Sequence, residues 1–336
     1  LIVDGLLTWR GGRIDGAGTI TANGGILFEN TTSDVWRDLV NNDVITWTAG
    51  TVRLNDSTLT NPPGSLIDVQ GDLTLGFFSQ LGTLVNEGEV RRSAGTGEFR
   101  TNVLVDNTGL IDVQTGTFRP QRRFTQTAGI TRIQDTLLLT NANPLELAGG
   151  RIEGNGTIIG DLDAVTTTIG PGLSPGRLDI SGDYAPTANG IYEVEIAGLN
   201  PEIEHDVLVI TDDAELDGIA EITFIDAFDP APGDTFVILT ADSINGTFDC
   251  DGLPELPGRR IGFITTDTEV RLTVLAETDC PEDITFDRVV DTGDLLALLA
   301  AWGGVKTCQD EQADITGDDI VDVADLLALL GAWGGC

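Results

Sequence analysis

One or two small residues ending in Gly, followed by an alternating strand, recur through the first half of the chain and limit what it can fold into. The unit reads GGRIDG at 11–16, AGTVRL at 49–54, AGTGEF at 94–99, AGITRI at 128–133 and GGRIEG at 149–154. GGRIDGAGTI at 11–20 returns as GGRIEGNGTI at 149–158 with eight of ten positions identical, and LIDVQ stands at both 66–70 and 110–114. Asn86-Glu-Gly88 and Asn107-Thr-Gly109 open similar strands 21 residues apart, about one rung of a parallel β-helix. A lone rung leaves its inward Val, Ile and Leu in water. Stacked rungs bury them, and Gly and Asn take the corners because they tolerate positive φ. A mainly β fold with a parallel β-helix (solenoid) over residues 1–170 is therefore expected, ahead of the competing antiparallel sandwich.

Composition narrows the function classes. The 336 residues contain 42 Gly and only 6% aromatics, which favours short strands and tight turns over long helices. Acids outnumber bases 54 to 18, a net charge of −36 that repels phosphate backbones and anionic lipid headgroups, so no nucleic-acid partner is expected. No apolar run reaches the ~20 residues of a membrane span. Net charge divides unevenly, −7 over 1–170, −19 over 171–279 and −10 over 280–336, which suggests three segments. Lys306 is the single lysine and Met is absent, as expected of a processed product or a fragment.

From 171 to 277 the strands lengthen and alternate: IYEVEIAG at 191–198, EITFIDAF at 221–228, DTFVILTA at 234–241 and EVRLTVLAE at 269–277. Alternation with one polar face marks half-buried strands, here a β-rich, sandwich-like closing domain. PGLSPGRLDISGDY at 171–184, followed by the HDVLVI and GDTFVIL strands, resembles the region that closes the passenger β-helices of autotransporter-like surface proteins. That resemblance implies a secreted passenger architecture rather than a chemistry.

Residues 280–336 hold a tandem duplication. DITFDRVVDTGDLLALLAAWGG at 283–304 and DITGDDIVDVADLLALLGAWGG at 314–335 share 16 of 22 positions at an offset of 31. Each copy places carboxylates at positions 1, 5, 9 and 12 of a twelve-residue loop: Asp283, Asp287, Asp291 and Asp294, then Asp314, Asp318, Asp322 and Asp325. A hard cation takes six to eight oxygens from such an EF-hand-like loop, with position 7 supplying its backbone carbonyl. Position 3 is Thr285 or Thr316, and position 7 is Val289 or Ile320. These twelve residues are the expected Ca2+ ligands, and an oxygen-only set argues against zinc. The competing explanation is a solvated acidic face.

Each loop leads into Leu-Leu-Ala-Leu-Leu-x-Ala-Trp-Gly-Gly. Leu295, Leu298, Leu299 and Trp302, and likewise Leu326, Leu329, Leu330 and Trp333, fall at i, i+3, i+4, i+7, one apolar helical face expected to form the core between two antiparallel helices. No entering helix precedes either loop. Loop plus exiting helix, twice, resembles a type I dockerin, the calcium-dependent module that docks onto cohesin domains. The resemblance implies calcium binding and a cohesin-like partner. Two features depart from the pattern: loop position 6, usually Gly, is Arg288 or Asp319, and the helices carry leucines where polar and basic contacts are usual.

Cys250, Cys280, Cys308 and Cys336 lie within the last 87 residues without C-x-x-C spacing, so disulfides are expected over a zinc or redox site. Three pairings are open, among them a clasp joining Cys280 to Cys336. Gly172-Leu-Ser174-Pro-Gly176 matches the G-x-S-x-G nucleophile elbow, but Pro175 lacks the N–H an oxyanion hole needs. His205, the single histidine, is expected at a strand edge on the surface. Carboxylate pairs such as Asp161 and Asp163, or Asp212 and Asp213, are candidates for glycoside chemistry. Arg91, Arg92, Arg122 and Arg123 are candidates for holding an acidic glycan, against the simpler reading of solvated turns.

The expected molecule is an extracellular, secreted or cell-surface protein, structural or adhesive and not an enzyme. Its calcium-binding, dockerin-like module at 280–336 would serve for attachment or assembly, to a cohesin-like partner, a second copy or a surface glycan. The alternative is a glycan-binding or glycan-degrading β-helix tethered through the same module.

Overall fold

The computed structural model describes residues 1–336 except 30, 140–144, 165, 250, 251, 277–279, 306 and 336; the side chains of 163, 164 and 309 are likewise outside the described residues. The chain divides into two compact units, one of Leu1–Leu173 with Arg177–Asp183, the other of Ser174–Gly176 with Tyr184–Cys336.

The first unit repeats one event: three short strands, three corners, then the next rung in parallel register. Thr58–Asn61, Leu66–Gln70 and Thr74–Gly76 make one rung; Thr83–Asn86, Glu89–Ala94 and Glu98–Thr101 make the next. Leu59, Leu84, Val105, Phe124 and Leu145 stack through successive registers, at steps of 25, 21, 19 and 21 residues. Eight described strands stack in this first sheet. The β-solenoid expected over 1–170 is thus present. Alternate residues of nearly every strand are buried, so period-two patterning fills the interior with Ile67, Val90, Ile111, Phe99 and Phe118. An aromatic file runs through it from Trp9 to Phe28, Trp47, Phe99, Phe118 and Phe124 with ring centroids 5.6–6.1 Å apart.

One corner carries a buried amide ladder. Asn41 donates to Asn61 Oδ1 (2.9 Å), Asn61 to Asn86 Oδ1 (2.8 Å), Asn86 to Asn107 Oδ1 (2.8 Å) and Asn107 to Gln126 Oε1 (3.0 Å). None of the five is more than 1% exposed. An amide has both donors and acceptors, so each rung satisfies its neighbour and the ladder can be buried without cost in unpaired groups. Beside it the rungs touch backbone to backbone. A Cβ on Gly109 would sit 2.2 Å from the Gly88 carbonyl oxygen, and one on Gly129, at φ +72°, 2.1 Å from that of Gly109. Glycine is required at both positions by contact, and at Gly129 by conformation as well.

The near-identical decapeptides at 11–20 and 149–158 do not occupy equivalent positions. Gly12–Ile14 lies in the third sheet, whereas Arg151–Gly154 lies in the second. The same sequence serves two different corners because all three faces demand the same inward-outward alternation. LIDVQ and the two Asn-x-Gly corners do occupy equivalent rungs.

In the second unit, parallel stacking continues where a sandwich was expected. Tyr184–Pro186 pairs with Asp213–Leu216, which pairs with Ser243–Gly246; Ile191–Ile196 pairs with Ile219–Phe224, and Val207–Ile210 with Thr235–Thr240, all in parallel. Among the described strands, antiparallel pairing enters at the end, apart from one isolated antiparallel bridge between Ile196 and His205. Glu269–Ala276 lies between Thr235–Thr240 and Arg259–Thr265, a hairpin that covers the last parallel edge. Three helices follow among the described residues, α1 (Thr292–Ala300), α2 (Cys308–Ala313) and α3 (Val323–Gly331); α2 runs directly into the second loop, where no entering helix was expected. No described helix is long and apolar enough to cross a membrane.

Candidate metal centre

The two copies of the duplicated segment share most of their loop hydrogen bonds, with Gly317 N–H to Asp314 (2.8 Å) added in the second. At loop position 1, Asp283 accepts the N–H groups of Asp287 (3.1 Å) and Arg288 (2.8 Å), and Asp314 those of Asp318 (3.1 Å) and Asp319 (2.7 Å). At position 5, Asp287 accepts from Val289 N–H (2.9 Å) and Asp318 from Ile320 N–H (3.2 Å). At position 12, Asp294 accepts from Thr285 N–H and Asp325 from Thr316 N–H, both at 2.9 Å. Position 6 adopts a left-handed backbone in both copies, Arg288 at φ +73° and Asp319 at φ +67°, which explains why glycine is the usual residue there.

Positions 9 and 12 also start the helices. Asp291 caps α1 through Gly293 N–H (2.6 Å) while Asp294 reaches back to Asp291 N–H (2.8 Å); Asp322 and Asp325 do the same for α3. These are capping boxes with Asp at both ends, so half of each acidic ladder has a local structural task. Loop and helix are therefore one element, held by carboxylates.

A reciprocal exchange joins the copies. Gly303–Gly304, after α1, pairs antiparallel with Ile320–Val321 of the second loop, and Gly334 N–H, after α3, donates to the Val290 carbonyl of the first (2.9 Å). Ile284, Val290, Leu298, Ala301, Ala313, Val321 and Leu329 form the core between them. The expected core stripe needs correction. Leu298 and Leu329 are buried, but Leu299, Trp302, Leu330 and Trp333 are 45–48% exposed. The buried face runs instead through positions 294, 298 and 301, because burying the capping carboxylate turns each helix by about one residue.

Asp294 and Asp325 are fully buried, Asp283 is 7% exposed, and no Arg or Lys among the described residues pairs with any of the three. Burial, then the neighbouring carboxylates of Asp294 and Asp287, push the Asp283 carboxyl up against the hydrogen bonds it receives. Asp325 is held below the usual carboxylate range: burial works against ionisation, and the hydrogen bonds from Asp322 and Thr316 outweigh it. Thr285 and Thr316 reach the position-12 carboxylates, while Val289 and Ile320 are half-exposed at the loop rims. As the loops stand, no three His, Cys, Asp or Glu groups among the described residues converge closely enough to hold a metal ion.

No family model matches this chain, and no curated protein matches it. The dockerin and autotransporter likenesses rest on the residues quoted for them.

The other candidates separate on geometry. Ser174 is exposed, whereas His205 is 1% exposed, corrected from its expected surface position, with Nδ1 on the Gly198 carbonyl (3.1 Å) and its ring against Phe236. Burial pushes His205 down, toward the neutral imidazole. Neither group presents a nucleophile and base to a shared cleft. Asp212 and Asp213 are adjacent and exposed on one strand edge; the Asp163 side chain lies outside the described residues. Of the four candidate arginines, Arg91 pairs with Glu89, Arg123 faces Asp106 and Arg92 is buried on Asp72 and the Gly71 and Gly97 carbonyls. Arg122 holds Asn102 and lies over Phe77. Arg92, Arg122 and Arg123 brace one rung against another and Arg91 holds a carboxylate of its own strand, roles that alternating sequence could not distinguish from a ligand patch. Cys280 and Cys308 are not free thiols; Cys250 and Cys336 lie outside the described residues.

Proposed function

We propose that this is a secreted or cell-surface structural or adhesive β-solenoid whose duplicated C-terminal module binds calcium and acts as its attachment point. The observation that carries the reading is the pair of buried carboxylates, Asp294 and Asp325, each in a duplicated acidic loop and neither facing a cationic side chain. Buried charge of this kind is ordinarily paired or bound to metal. Hydrogen bonds to backbone N–H use only part of each carboxylate's acceptor capacity. The remaining lone pairs of Asp283, Asp287, Asp291 and Asp294, with Thr285 and the Val289 carbonyl, suit a hard cation, as do those of Asp314, Asp318, Asp322 and Asp325, with Thr316 and the Ile320 carbonyl, in the second copy. Bound calcium would relieve the repulsion felt at Asp283.

Attachment would use what the module leaves uncovered. Leu296, Leu299 and Trp302 on α1, and Leu327, Leu330 and Trp333 on α3, are 45–67% exposed and related by the internal duplication. A cohesin-like receptor covering one such face is the partner this reading favours. An oxidising, extracellular setting accords with cysteines that are not free thiols.

Calorimetric titration of the full chain with calcium tests the reading. Two sites are expected, both lost in Asp283→Ala/Asp314→Ala; absence of heat in the parent chain, with the module shown to be folded by its tryptophan signals, refutes it.

A further inference from the structure

The second unit contains a cleft of about 650 Å3 in which three of its few basic residues meet. Arg260 and Arg271 come from the closing hairpin, Arg288 from the first loop. In a chain of net charge −36, most arginines are spent on carboxylates. Arg288 pairs with no carboxylate among the described residues. Arg271 meets Glu269 only at 3.4 Å, and its Nε is buried without a hydrogen-bond partner. Arg260 donates to the Cys280 carbonyl (2.9 Å) and lies over the Phe286 ring. Among the described residues, the one acidic residue lining the cleft is Asp283, whose two oxygens already accept backbone N–H groups.

The duplication supplies a second, independent observation. The copies differ at six of 22 positions, and two of those six, Phe286 against Gly317 and Arg288 against Asp319, are cleft-lining residues of the first copy. Arg288 holds its guanidinium there from a left-handed backbone at φ +73°, a conformation that costs a non-glycine residue free energy. The first loop thus departs from its twin where it faces the cleft, and departs toward positive charge and an aromatic ring.

We infer that this cleft binds an acidic oligosaccharide, one bearing carboxylate or sulfate groups. Guanidinium forks match the planar oxygens of either anion. Thr235 and Thr273 offer hydroxyls, and Phe286, Ile264 and Val274 offer apolar surface for the C–H faces of a sugar ring. The volume suits a short oligosaccharide rather than a macromolecular face. Asp283, a proposed calcium ligand, shares the cleft, but none of the three guanidinium groups is one, so a loss of calcium binding and a loss of anion binding are separable in the variants below.

The test is titration of the full chain, with calcium present, using three probes: trigalacturonate for the carboxylate source, a heparin-derived hexasaccharide for the sulfate source, and a neutral gluco-oligosaccharide. One acidic probe or both should bind at one site per chain, with affinity falling as salt rises, and the neutral probe should not. Arg288→Gln, at an exposed side chain, should weaken binding roughly tenfold or more, whereas Arg122→Gln in the first unit should leave it unchanged. Arg271→Gln provides a second reading, with circular dichroism verifying that it folds. Failure of both acidic probes to bind, or parental affinity in Arg288→Gln and a folded Arg271→Gln, overturns the inference.

Discussion

Replacing Asn86 by Ala at the centre of the amide ladder should be among the most damaging single changes to the solenoid. The substitution removes donated bonds to Asn107 Oδ1 (2.8 Å) and to the Leu110 carbonyl (3.0 Å), and the bond accepted from Asn61 (2.8 Å). Asn61 retains the Glu89 carbonyl (2.9 Å) as an acceptor, so its amide is not orphaned. Asn107 Oδ1, in a residue 1% exposed, loses the donor that faces it. Three bonds at about 1 kcal/mol each, with one buried acceptor stranded at about 1–3 kcal/mol, sum to a loss of about 4–6 kcal/mol. The molecule contains its own control. Asn42 donates to Asn23 Oδ1 at the same 2.8 Å, but on the exposed surface, and Asn42→Ala should cost under about 1 kcal/mol because water replaces the partner. Urea denaturation of both variants, followed through Trp9, Trp36 and Trp47, measures the difference. Hydrogen exchange at the amides of 105–107 guards against a transition that is not two-state. Equal losses within about 1 kcal/mol would refute the reasoning, since Asn86 gives up three hydrogen bonds in a buried ladder and Asn42 one on the exposed surface.

Gly129→Ala should be worse than an ordinary Gly→Ala change, because φ +72° and a 2.1 Å approach to the Gly109 carbonyl oxygen oppose the new Cβ together; a melting temperature within a few degrees of the parent would contradict the corner geometry. In chelator, the terminal module should respond to acid in two senses. The folded pKa of Asp283 is raised above 3.8, so the native state favours its neutral form and stability rises as pH falls through that raised value. The folded pKa of Asp325 is lowered, so its contribution is present above 3.8 and lost as pH falls through its folded value. The emission of Trp302 and Trp333 during urea titrations at stepped pH reads both, and a stability that only declines from neutrality downward would exclude the Asp283 effect. Cys308 N–H donates to the Phe248 carbonyl (3.2 Å), two residues along the chain from Cys250, so non-reducing peptide mapping should yield a Cys250–Cys308 peptide. A Cys280–Cys308 peptide would refute that pairing.

The sequence by itself determined the solenoid and the duplicated module, because both are written in local, repeating terms. Alternation fixes which side of a strand faces inward, the Asn-x-Gly spacing fixes the rung, and an offset of 31 with Asp at four matching positions fixes two equivalent loops. Capping by Asp291 and Asp322 was implicit in the same spacing, since the first and fourth residues of a capping box recur wherever helices start. What only the tertiary structure decided depends on contacts between rungs or segments far apart in the chain. Near-identical decapeptides fell on different faces because register is set by the neighbouring rung rather than by the peptide. Arg92 became a buried brace only when Asp72, 20 residues away, arrived beside it. His205 went inside because Phe236 came to cover it. Helix rotation was settled by burying Asp294 and Asp325 rather than Leu299 and Leu330, a choice that hydrophobic periodicity ranks the other way. Arg260, Arg271 and Arg288 were brought to one cleft by the closing hairpin and the first loop packing together, and no pattern along the chain joins them.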